Sequence, residues 1–347
     1  MDTDPPRHPP RRWWRAWRTW AGLFVSGICL FWIVRTLDWP QVVRTLSAAN
    51  YGLVGLAILS VLLTIGVRAL RWAILVRPLR PSWLNLLSAL VIGQVANYAF
   101  PARAGDLVRA HLLGSSESES RLRLLGTVAV EKVWDLLMVL ILILLLSAWM
   151  DLPPWVTVAV PGISAVVLTG LLGAFVSHRW KCRLLACISW IEARLPGRLR
   201  GSLSGPASRL LDGLGGLQRA GLAWRTFAVS TVIWGLGTLS NWLILRAMGI
   251  PVTPLMALFL LAVLQLGIAV PALPGQVGFF EGLCIVSLGL WGVERNAAFS
   301  VGLILHGVVY LPPALLALVL GTLTWDATGR RVLWDLRMFR APVKGEK

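Results

Sequence analysis

The chain has 347 residues, of which 56% are hydrophobic and only 14% charged, and its mean hydropathy is +0.71. A soluble globular chain carries about a quarter charged residues, so this composition excludes a soluble domain and indicates a polytopic membrane protein. The formal charge of +17 does not point to nucleic acid, because the basic residues are scattered in loops between apolar runs, where they set topology and meet anionic lipid.

Met1 to Trp20 is rich in Pro and Arg and reads as a disordered basic tail. The apolar run Ala21 to Val34 reads as an uncleaved first span, because Arg35 follows it at once and the small residues Ser47, Ala48 and Ala49 lie too far downstream for a cleavage site. Crossing a bilayer as a helix takes ~17–25 residues, which selects stretches near 19–37, 51–70, 124–149, 155–177, 225–246 and 299–324. Tryptophan outnumbers tyrosine by 19 to 3, as suits rings anchored at bilayer interfaces. Cys29, Cys182, Cys187 and Cys284 show no metal-type spacing and read as small buried thiols.

Two further apolar segments, 84–100 and 255–271, each run into a break. One reads Phe100-Pro101-Ala102-Arg103-Ala104-Gly105-Asp106, the other Leu273-Pro274-Gly275-Gln276-Val277-Gly278-Phe279-Phe280-Glu281. Each supplies proline, glycine four residues later and an acid, so neither continues a helix smoothly. Inside lipid, non-helical backbone must be buried in protein or line a watery cavity, and a matched pair of broken segments is the mark of a transport-type site. Treating each as a hairpin that returns to its own side puts most of the 33 basic residues on one face. Only Arg35, Arg44, Arg246 and Arg295 then lie on the other, and Lys132 falls within a helix. This bias fixes that richer face as cytoplasmic.

The fold expected is an all-α polytopic membrane protein. It has about six full transmembrane helices plus two oppositely oriented re-entrant broken hairpins, an inverted-repeat, transporter-like arrangement in the plasma (inner) membrane with both termini cytoplasmic. Domain limits follow as a tail over 1–18, a membrane domain over 19–325 and a second basic tail over 326–347. Within the basic loop 178–224, Leu184, Leu185, Ile188, Ile191 and Leu195 form one helical stripe, and Leu210, Leu211, Leu214 and Leu217 a second. Helices lying on the inner leaflet or a small hairpin packing on itself account for these equally well.

Polar groups inside the spans mark candidate chemistry. Arg103 and Asp106 flank Gly105, with Asn97 one turn before Pro101; a cation beside freed backbone N–H groups suits a phosphate. Glu131, Lys132 and Asp135 fall in the third span, ~10–16 Å along a ~30 Å core if the helix starts at Leu124. They either pair within a polar cavity or the span begins near Val133, and the first is favoured. Glu281 could meet Arg103, a substrate amine or a proton. His306 and Tyr310 share a face of the last span, and His306 reads as a hydrogen-bonded packing residue. Gln94, Asn241 and Gln265 are candidate interhelical hydrogen-bond donors. The chain shows no GxSxG, HExxH, P-loop or His/Cys cluster, so no cofactor or metal is expected. The DxD spelled by Asp2, Thr3 and Asp4 is read as chance.

Three ordered motifs then carry a resemblance. Asn97-x3-Pro101-x-Arg103-x-Gly105-Asp106-x2-Arg109, Glu131-Lys132-x2-Asp135 and Pro271-x2-Pro274-Gly275-x2-Gly278-x2-Glu281 resemble the motif set of the lysylphosphatidylglycerol synthase transmembrane-domain, or flippase-like domain, family. The resemblance covers about 20 to 325. It implies a membrane domain that moves anionic or aminoacylated phospholipid between leaflets, with Asn97, Arg103, Asp106, Arg109, Glu131, Lys132, Asp135 and Glu281 around its cavity. The family more often has Glu at Asp106 and Arg at Lys132. It also includes bifunctional members with a soluble aminoacyl-transfer domain that this sequence lacks. Expected partners are therefore membrane lipids, with a homo-oligomer compatible. The alternatives kept open are a membrane transferase acting on polyprenyl-phosphate or lipid-linked sugars and a proton-coupled small-solute carrier.

Overall fold

A computed structural model describes residues 35–99, 104–194, 203–214, 220–269 and 274–328. Among these, nearly everything is helix and no strand occurs. A short α1 (Trp39–Ser47) starts under the Asp38 side chain, which accepts from the Gln41 N–H. Asn50 likewise caps α2 (Tyr51–Leu75) through the N–H groups of Gly52 and Leu53. Next come α3 (Trp83–Ala99), α4 (Gly105–Ser116), α5 (Arg121–Ser147), a short α6 (Pro154–Thr157) and α7 (Ala159–Arg179). The basic loop folds as α8 (Lys181–Arg194) and α9 (Ser204–Leu214). The chain continues through α10 (Ala220–Ala247), α11 (Pro254–Ala269), a 3-10 turn (Pro274–Gln276), α12 (Phe279–Gly289) and α13 (Arg295–Thr328).

Among the described residues, four helices are long and apolar enough to cross a membrane: Tyr51–Leu75, Pro154–Gly173, Gly221–Ala247 and Arg295–Leu323. Six were expected, and the difference has two sources. Most of the first expected span, 19–37, lies outside the described residues, as do the first 18 residues and the second tail beyond Thr328. The third, α5, has the length, but Arg121, Arg123, Glu131, Lys132 and Asp135 share it with its leucine-rich half. That helix begins well before Val133, so its charges are enclosed in helix. The second span also runs past its expected end at 70, carrying Arg71 into the protein.

The two breaks sit in equivalent places. In each half, a long helix (α2 or α10) is followed by an apolar helix (α3 or α11), a break, a return helix (α4 or α12) and a second long helix (α5 or α13). Contacts follow the same pairing: α3 packs on α13 as α11 packs on α5, and each return helix packs on its neighbours alike. The leading helices run antiparallel. Asn50 N–H donates to the Ala247 carbonyl at 2.8 Å, the Ser60 hydroxyl to the Leu236 carbonyl at 2.9 Å, and Arg71 reaches the Ser230 hydroxyl at 3.1 Å.

Glycine lets the broken helices cross closely. A Cβ on Gly105 would stand 1.9 Å from the Gly93 carbonyl oxygen and 2.5 Å from the Asn97 nitrogen, both backbone atoms that cannot yield. In the second break, Gly275 and Gly278 hold φ of 72° and 82°, a left-handed backbone natural to glycine alone. In the basic loop, α9 docks on α5, where Gly213 meets Gly126, and Leu184, Leu185 and Ile188 of α8 are half-buried while Ile191 is exposed. Leu195 and Leu217 of the two stripes lie outside the described residues. Cys284 is buried as expected, but Cys182 and Cys187 are exposed. Asn241 donates to the Ala257 carbonyl and so ties α10 to α11.

Gly105→Ala is expected to destabilise the protein by about 1–3 kcal/mol or more through overpacking against backbone, whereas Gly55→Ala, which meets no atom within 4 Å, should leave it as stable as before. Thermal unfolding of the purified variants in detergent checks the contrast.

Candidate functional site

Glu131 is the centre of the first cluster. Its side chain has no exposed surface, and α5 carries it to where α2 and α4 converge. Arg71 of α2, equally buried, donates through Nη2 to Glu131 Oε1 at 3.1 Å and through Nη1 to Asp135 Oδ1 at 2.7 Å. Arg109 of α4 donates to Glu131 Oε2 at 2.8 Å, and Arg68 stands 3.8 Å from Oε1. The guanidinium of Arg109 also lies 5.2 Å from the ring centre of Trp72, whose indole N–H donates to the Thr127 hydroxyl. Both oxygens of one carboxylate are thereby held by arginines from two other helices through charge-assisted hydrogen bonds, roughly twice as strong as neutral ones.

Asp106, at the start of α4, closes the other side. It lies 3.3 Å from Arg109 Nη2 and 3.3 Å from Lys132 Nζ, and accepts a 3.4 Å hydrogen bond from Asn97 Nδ2. The floor of the cluster is sealed and its rim is not: Arg68, Lys132, Asp106 and Asp135 keep 20–33% of their side-chain surface exposed. Among the described residues, four cations (Arg68, Arg71, Arg109, Lys132) face three carboxylates (Asp106, Glu131, Asp135). Arg71 Nε, Arg109 Nε and Nη2, and Asn97 Oδ1 are buried without a hydrogen-bond partner; Nη2 is close to Asp106 but misaligned. The cluster therefore has spare donors and an unbalanced positive charge.

The second break carries its own cluster. Glu281 Oε2 accepts from the Gly278 N–H at 2.7 Å, which caps α12, and Oε1 lies 2.7 Å from His306 Nδ1. The rings of His306 and Tyr310 are 4.3 Å apart, and Tyr310 reaches Gln276 in the break at 3.5 Å. A chain of contacts joins the clusters: Tyr310 stacks on Tyr98 at 4.1 Å, Gln94 donates to the Tyr98 hydroxyl at 2.6 Å, and Arg68 donates to Gln94 at 3.4 Å.

Of the residues singled out in the sequence, the structure gathers Asn97, Asp106, Arg109, Glu131, Lys132 and Asp135 into the first cluster and puts Glu281 in the second. Gly105, Pro274, Gly275 and Gly278 stand at the breaks, whereas Pro101 and Arg103 fall outside the described residues. His306 is hydrogen-bonded, as expected, and its partner is the buried carboxylate of Glu281. Arg68 and Arg71 were not among the residues singled out, yet Arg71 bridges Glu131 and Asp135 and Arg68 stands 3.8 Å from Glu131. The available signal was the apolar spacing Ile65, Ala69, Trp72 and Leu75, which continues the helix through both arginines.

The fold and its buried charges define a multi-pass helical membrane protein with a polar cluster at the convergence of broken and unbroken helices. The chain belongs to the lysylphosphatidylglycerol synthase TM region family, whose pattern matches residues 19–317. It is also 24% identical over 329 residues to the glycosyltransferase AglD of Haloferax volcanii, a match covering 83% of this chain. The chain spans only about half, 51%, of that relative. No solved structure matches.

Glu131→Gln removes the carboxylate shared by two buried arginines, leaving Arg71 only Asp135 and Arg109 only Asp106, and should cost roughly 3–5 kcal/mol. Lys181→Ala, which breaks the half-exposed pair with Asp212, should change little. Detergent unfolding midpoints of the two variants measure the difference.

Proposed function

We propose that the protein translocates lipids with an anionic headgroup between leaflets, the headgroup phosphate occupying the rim of the Glu131 cluster while acyl chains stay in lipid. The observation that carries this reading is the cluster's excess cation, with unpartnered guanidinium N–H groups beside side chains that remain accessible. A phosphate supplies both the missing charge and the missing acceptors. Arg68 and Lys132 make the first contact and Arg109 the deeper one. In this reading the two broken segments are re-entrant hairpins opening to opposite sides, and their antiparallel halves support alternating access to one site. Membership of a family named for a lipid-modifying synthase agrees with a lipid substrate.

A second reading follows from the relative's name. A carboxylate–histidine pair such as Glu281 and His306 is a general-base arrangement, which would suit transfer to or from a lipid-linked sugar. Product from polyprenyl phosphate and a radiolabelled sugar donor in detergent, lost in Glu281→Gln, would replace translocation with transfer.

The main test uses proteoliposomes containing NBD-labelled phosphatidylglycerol, with dithionite bleaching the outer leaflet. Protein should allow bleaching to proceed beyond the outer half, and Arg68→Gln should slow this about tenfold or more, as loss of a charge-assisted contact implies. Equal rates in the variant and the parent would remove the phosphate site.

A further inference from the structure

The return helix in each half begins with an acid that pairs with a base on the following long helix. In the first half the pair is Asp106 and Lys132, 3.3 Å apart; in the second it is Glu281 and His306, 2.7 Å apart. The bases stand at the same place, eleven residues after the first residue of α5 (121 to 132) and of α13 (295 to 306). The two pairs are thus equivalent latches across the breaks, and they differ in chemistry. Lysine is a fixed cation over the physiological range, whereas histidine gains or loses its charge within it.

The surroundings of the second latch sharpen the difference. Glu281 is 4% exposed and His306 13%. The Phe280 ring centre lies 5.1 Å from that of His306. Other ionisable groups around the pair are Cys284 on the same helix, Tyr310 on α13 and, stacked on Tyr310, Tyr98 of α3. Helix α11, packed along α12, contributes none. The nearest cation in this chain of contacts is Arg68, two contacts beyond Tyr98. With a neutral imidazole donating from Nδ1, the pair holds a net negative charge steadied by the Gly278 N–H. A proton added at Nε2 makes the imidazole a cation and the pair neutral overall.

We propose that Glu281 and His306 form a proton-binding site at the second break, and that proton loading at His306 closes this latch while proton release opens it. The charge of Glu281 also caps α12 through Gly278, so a change at the latch acts directly on the backbone of the break. Resting on the translocation reading, this makes lipid movement proton-coupled through the second latch.

Two measurements test the proposal separately. In 15N-histidine NMR of the full chain in phosphatidylglycerol-containing nanodiscs, the signal assigned to His306 by its absence in His306→Gln should change between neutral and cationic forms across the physiological range. In Glu281→Gln that transition should move to lower pH, because the cation loses its partner. A His306 signal fixed in one form throughout would overturn the site. In proteoliposomes with NBD-phosphatidylglycerol, an imposed pH gradient should accelerate bleaching severalfold in one direction, and His306→Gln should respond to neither direction. An indifferent wild type would overturn the coupling. If NBD-phosphatidylglycerol fails to move under any condition, the translocation reading falls and coupling falls with it, while the NMR result still decides the proton site.

Discussion

A carboxylate with no exposed surface stays ionised only if cations are brought to it, and at Glu131 they come from two neighbouring helices. Removing such a charge from water costs several kcal/mol even after relaxation, so Arg71 and Arg109 are conditions of the fold as well as features of it. Their demands fix other parts of the molecule. Helix α2 must continue as helix to Arg71, α4 must return close enough to α3 to present Arg109, and that return needs Gly93 and Gly105 at the crossing. The apolar half of α5, from Leu136 to Leu146, offsets part of the expense of burying its polar half.

The second half repeats the architecture with a lighter charge load. Its break has one carboxylate and one imidazole where the first has three acids and four cations among the described residues. Apolar packing fills the difference, with Phe280, Cys284 and Leu288 in a core shared with α2, α10 and α13. The two clusters are also in contact, through Arg68, Gln94, Tyr98 and Tyr310. Any change in how α3 sits against α13 must break or rebuild the tyrosine stack, which gives the two breaks a physical means of influencing each other.

Much of this was legible in the sequence because it is local. Proline and glycine spacing marks both breaks, hydropathy marks the long helices, and Glu131 and Asp135 are placed on one face by being four apart. The arginine partners were hidden because Arg71 and Glu131 are 60 residues apart, and no local spacing joins them. The expected end of the span at residue 70 also left Arg71 outside it, since an arginine near the end of an apolar run ordinarily marks the loop beyond. That His306 is hydrogen-bonded was legible, but its partner was not: Glu281 lies on another helix, and a lone histidine in an apolar stretch carries no sign of what it faces.

The central claim is that two halves of opposite orientation close around these clusters. The ends of the return helices test it most directly. In a background with the four native cysteines replaced, Ser115→Cys at the end of α4 and Gly289→Cys at the end of α12 are both exposed positions. Membrane-impermeant maleimide applied to intact cells and to inverted vesicles should label Gly289→Cys only from outside and Ser115→Cys only from the cytoplasmic side. Labelling of both from the same side would contradict the inverted arrangement, and with it the single site between the two breaks.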